Sequence, residues 1–159
     1  MKRGSTIFLQ IVVVALGVGA LAFLLLEPHL EGRNVNATLF QIYFNDPFLE
    51  YAYIASIAFF IGVYQTFKVL GYIGRNEVFS ERAVKALRIM KYCAIAIVAL
   101  TAAPVAYLFV VRPGDDIAGG VAMGLFIIFV STVVAANAAM HEKIWRKAID
   151  MKAENDLTV

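Results

Sequence analysis

Four long apolar blocks, divided by short polar stretches, set the pattern of this chain. The first covers residues 7–26, IFLQIVVVALGVGALAFLLL, and holds no charge. As a helix rising 1.5 Å per residue it spans about 30 Å, the thickness of a bilayer's hydrocarbon core. It is longer than a usual signal-peptide core, and no small-residue cleavage site precedes Glu27-Pro28, so it reads as a retained helix. The second block covers residues 47–70. Asp46 is its expected N-cap, and Pro47 suits the first helical position, where a missing N–H costs nothing. Gly74 is the expected helix stop. The third block, 89–111, ends at Arg112-Pro113-Gly114, and the fourth, 117–140, follows Asp115-Asp116. So short a link makes spans three and four an antiparallel hairpin. The expectation is an all-α membrane protein, a four-transmembrane-helix bundle forming one integral membrane domain over residues 1–159.

The polar stretches have their own pattern. Between spans one and two, Leu39, Phe40, Tyr43 and Phe44 recur at helical spacing, which predicts a short helix lying in the outer headgroup layer. Asn36-Ala37-Thr38 matches a glycosylation sequon, a tripeptide that mostly arises by chance. Between spans two and three, Ser80 is an N-cap, with Phe79 and Val84 placed as a hydrophobic staple. Glu81 falls in the first turn, and Val84, Leu87 and Lys91 share a face that feeds into span three. After span four, HEKIWRKAIDMKAEN continues the same helix beyond the membrane. Gly120, Gly124, Ser131, Ala135 and Ala138 form a small-residue stripe that lets helix backbones approach. It serves packing within the chain or a dimer face. Pro104 lies inside span three, leaves the Leu100 carbonyl without its helical donor, and marks a kink.

Charge turns the spans into a topology. Lys2, Arg3, Lys68, Arg75, Arg82, Lys85, Arg88, Lys91, Lys143, Arg146, Lys147 and Lys152 fall on one side, and only Arg33 and Arg112 on the other. That asymmetry predicts both termini in the cytoplasm. Apolar residues at 61%, charged residues at 16% and a mean hydropathy of +0.76 fit a chain solvated by lipid. A net charge of +2 gives no reason to expect direct nucleic-acid binding. Cys93 is the sole cysteine, so no intrachain disulfide and no Cys-x-x-Cys pair can form.

Most reactive chemistry is then set aside. His29 and His141 fall on opposite sides of about 30 Å of hydrocarbon and cannot share a metal ion within one chain. No span carries an ionisable residue near its centre, where a proton-coupled transporter usually has one. Glu50 and Lys68 share a face of span two but lie about 27 Å apart along it, too far to pair. Ser56 and Ser131 have no histidine or lysine at their depth to act as a base. The chain reads as no enzyme, with no metal and no cofactor. One polar constellation is left: Gln10, Gln65 and Asn137, on three helices, each a turn or so from the cytoplasmic boundary. They are either a ligand-binding cluster or interhelical hydrogen bonds worth about 0.6 kcal/mol each.

The opening MKRGSTIFLQ, the four-span layout and the inner string NEVFSERAVKALR at 76–88 resemble a family of small bacterial inner-membrane proteins known as a domain of unknown function. The resemblance covers the whole chain and implies a multi-pass protein of the bacterial cytoplasmic membrane. It brings no activity, cofactor or catalytic residue. It also implies a neighbouring gene for a small Cro-like helix-turn-helix regulator, hence a regulatory pairing. The functional expectation is a membrane regulator or sensor that holds a cytoplasmic protein through its basic inner loop and C-terminal helix. Arg75, Arg82, Lys85, Arg88, Lys143, Arg146 and Lys147 are the contact residues. The same cations would also fix topology and touch anionic lipid. The alternative is a homo-oligomeric transporter or channel for a lipophilic or cationic solute.

Overall fold

The computed structural model describes residues 3–30, 36–38, 40–41, 47–111 and 118–156, except for the side chains of Arg3, of residues 27–30, of Pro47 and Phe48, and of Val111. Four helices make up the fold: α1, Arg3–Leu30; α2, Pro47–Gly74; α3, Glu81–Val111; and α4, Ala118–Asp156. All four are long and apolar enough to cross a membrane. At 31 and 39 residues, α3 and α4 exceed what a crossing requires. The excess is the helix that begins at Glu81, fused to span three, and the tail continuing span four.

The helices pack in chain order, α1 on α2, α2 on α3 and α3 on α4, with the last pair the most extensive. Neighbours are antiparallel. The Tyr53 hydroxyl donates to the Leu24 carbonyl at one end of the α1–α2 pair, and the Gln10 amide donates to the Phe67 carbonyl near the other. The start of α1, the turn between α2 and α3, and the C-terminal half of α4 therefore share one end of the bundle, the basic end.

α4 packs through a heptad seam. Val121, Gly124, Ile128, Ser131, Ala135, Ala138, Glu142, Trp145 and Ile149 follow alternating steps of three and four, and six of them are buried. Such a seam is what two antiparallel helices need to stay in register. It corrects the predicted small-residue stripe at Gly120, which lies off the seam and is exposed. Gly124 is on it. A methyl group there would overlap Cγ2 of Val105.

Two local signals resolve as predicted in position but not in detail. Ser80 caps α3, its Oγ accepting from the Ala83 amide at 3.2 Å. Phe79, predicted to staple onto Val84, is mostly exposed, and Val78 packs against the core instead. α2 ends at Gly74, but the left-handed residue that turns the chain is Asn76, with φ 57°. The Glu77 amide donates to the Tyr72 carbonyl and the Asn76 amide to that of Ile73, a Schellman closure. Gly74 has another reason: a Cβ there would come within 2.9 Å of the Thr6 methyl. Thr38 and Gln41 form a capping box, each side chain bonding the other's backbone N–H. The rest of the predicted interfacial helix, Leu39, Tyr43 and Phe44, lies outside the described residues, as do Asp46, Arg112–Ile117 and Arg33.

The tightest core sits at the basic end rather than among the spans. Val69, Ala83, Val84, Ala86, Leu87 and Trp145 bury one another, flanked by Tyr72, Ile73 and Ile149. This part is held together by removal from water. The spans expose most of their large apolar side chains, including Phe8, Phe23, Ile54, Phe126 and Phe129, to the surroundings that lipid fills. Trp145, on the tail of α4, belongs to this core.

Candidate functional site

Between the spans the packing is incomplete. A cavity of about 280 Å³ lies among Val13 and Leu16 of α1, Phe59, Gly62, Val63 and Thr66 of α2, Met90, Cys93, Ala94 and Ile97 of α3, and Val130, Ser131 and Val134 of α4. All four helices reach it. Its walls are apolar, and the Thr66 hydroxyl is turned back onto the Gly62 carbonyl at 2.9 Å. Gly62 and the neighbouring small residues leave the space open. Chemically it suits a lipophilic molecule held by dispersion, with Thr66, Ser131 and the Cys93 thiol as its few polar or polarisable groups.

The predicted amide cluster does not form. Gln10 bonds the Phe67 carbonyl at 3.2 Å in the α1–α2 crevice, beside Thr6, Gly71, Gly74 and Arg75. Asn137 is exposed and donates to the Val133 carbonyl of its own helix at 2.8 Å. It lies between the seam positions Ala135 and Ala138, so the helical screw turns it away from α3. Of the three, Gln65 alone is buried, at 7% exposure, and its Oε1 has no hydrogen-bond partner among the described residues.

The seven candidate cations separate into distinct groups. Arg88 and Lys91 clamp the buried Glu142 carboxylate, Nε to Oε1 and Nζ to Oε2, both at 2.7 Å. Arg146 reaches Glu81 at 3.5 Å. Arg82 and Lys85 make no ion pair among the described residues, and with Arg88 and Arg146 they line a second cavity, of about 360 Å³, beside Ile89 and Tyr92. Arg75 lies at the α1–α2 crevice. Lys143 and Lys147 are on the outer face of α4, beside the exposed Ile144 and Met151.

A family model described as a protein of unknown function, DUF2975, matches residues 35–159. The chain belongs to the DUF2975 family. It is also 41% identical to the uncharacterized membrane protein YoaS of Bacillus subtilis (strain 168), over 162 residues and 100% of both chains. No solved structure matches. With the four apolar helices, this relative places the DUF2975 chain in a membrane as a multi-pass protein.

Two residues of this DUF2975 chain escaped the sequence reading, Glu142 and Trp145. The signal was present: extending the three-four spacing of α4 past Met140 lands on both. A carboxylate at such a position requires cations opposite, and Arg88 and Lys91 are spaced to supply them.

Proposed function

We propose that the protein is a non-enzymatic membrane regulator or sensor, with both termini in a bacterial cytoplasm, that takes a lipophilic molecule into its central cavity. Its folded basic end would then meet a cytoplasmic protein. The observation that carries this reading is the cavity itself. An occupant touches all four helices at once, so it favours whichever helix arrangement fits it. α3 and α4 run unbroken from the cavity wall, at Ile97 and Ser131, to the core at Val84 and Trp145. A shift at one place therefore reaches the other. The surface available to a partner is the outer face of α4, with Lys143, Lys147, Ile144 and Met151, together with Arg75. The family resemblance implies the class of partner, a small helix-turn-helix regulator.

Native mass spectrometry of the purified protein tests the cavity. Wild type should retain an apolar molecule, and Ile97→Trp, which fills the space, should not. Wild type carrying nothing, or the variant carrying as much, overturns the proposal. Transport through a homo-oligomer draws no support from the geometry, because no charged side chain lies midway along a described span.

A further inference from the structure

We infer that the cavity between the start of α3 and the tail of α4 is a binding site for a phosphate-bearing anion, namely the headgroup of an anionic phospholipid. Four of its lining residues are cations, Arg82, Lys85, Arg88 and Arg146, against a single carboxylate, Glu81. These charges do not cancel internally. Glu142 occupies Nε of Arg88 and Glu81 occupies a terminal nitrogen of Arg146, while Arg82 and Lys85 have no acidic partner among the described residues. The Nε of Arg146 is buried and has no hydrogen-bond partner among the described residues. A buried donor on a cation favours an anionic acceptor, and guanidinium groups suit phosphate oxygens in particular.

The shape selects the source of the phosphate. Ile89 and Tyr92 form the wall that continues into the span, so the cavity is cationic at its outer end and apolar toward the bilayer. A lipid headgroup entering with its chains along Tyr92 meets both surfaces, whereas a free phosphate compound uses only one. Basic cavities between helices at the cytoplasmic face commonly hold such headgroups. The site lies on the face of α3 away from the central cavity, so this inference stands independently of the lipophile-sensing function.

Binding of phosphatidylglycerol and of phosphatidylcholine to the full chain in neutral nanodiscs tests it. Phosphatidylglycerol should be retained in preference. The double variant Arg82→Gln/Lys85→Gln should weaken retention by about tenfold or more, because two charge-assisted contacts to one phosphate are lost. Lys143→Gln/Lys147→Gln removes the same charge outside the cavity and should leave retention unchanged. Equal losses in both double variants would mean diffuse electrostatics and overturn the site. Displacement of the lipid by millimolar glycerol phosphate would overturn the lipid as its source. Arg82 and Lys85 are exposed and outside the ion pairs, so the first variant should fold, and an unchanged melting temperature verifies it.

Discussion

The Tyr51 hydroxyl donates a 2.6 Å hydrogen bond to the Leu100 carbonyl, the acceptor that Pro104 leaves without its helical N–H. α3 runs unbroken through Pro104 because α2 supplies the missing donor. Without bulk water in the hydrocarbon core, a neighbouring helix is a ready source of such a donor. Tyr51→Phe should therefore destabilise the protein by about 1 kcal/mol. In a Pro104→Ala background, where the helix bonds Leu100 itself, the same substitution should cost much less. A double-mutant cycle by thermal unfolding in detergent measures this coupling, and independent effects would contradict the pairing.

Gly124 and Gly120 form one Gly-x-x-x-Gly pattern but differ in what a side chain would meet. At Gly120 an added Cβ has its nearest contact at 3.7 Å, to Leu108, whereas at Gly124 it collides with Val105. Val105 is β-branched and has little rotamer freedom to yield. Gly124→Ala should cost about 1–3 kcal/mol, and Gly120→Ala should be neutral or slightly stabilising. Melting temperatures of the two variants decide the point.

The three amides should respond separately. Gln65→Leu removes a buried carbonyl oxygen that bonds nothing, so stability should rise by about 1 kcal/mol. Gln10→Leu breaks the bond to Phe67 and should cost a few tenths to about 1 kcal/mol. Asn137→Leu should change little. A large, shared loss in all three would show that they act as one cluster.

Topology is open to a direct measurement. In a Cys93→Ser background, single cysteines at Asn34 and Asp115 should react with impermeant reagents on intact cells. Cysteines at Asn76 and Asn155 should react only after lysis. Surface labelling at Asn155 would reverse the proposed orientation.

The sequence by itself determined the elements. Four uncharged or nearly uncharged blocks of bilayer length could only be spans, and local chemistry set their ends, as at Ser80 and near Gly74. These are properties of neighbours along the chain, so they are legible without a fold. Which faces meet was only partly legible. The small-residue stripe read at 100° per residue marked Gly124, Ser131, Ala135 and Ala138, all on the seam, but also Gly120, which lies off it because two packed helices supercoil to keep one seam together. For the same reason Asn137 faces away from Gln10 and Gln65, although all three lie at similar depth. Only the tertiary structure revealed that Glu142 is clamped by Arg88 and Lys91, that Trp145 is core, and that four helices leave a space between them. Each depends on residues about 50 or more positions apart, brought together by packing that hydropathy cannot specify inside lipid, where every apolar face is already satisfied.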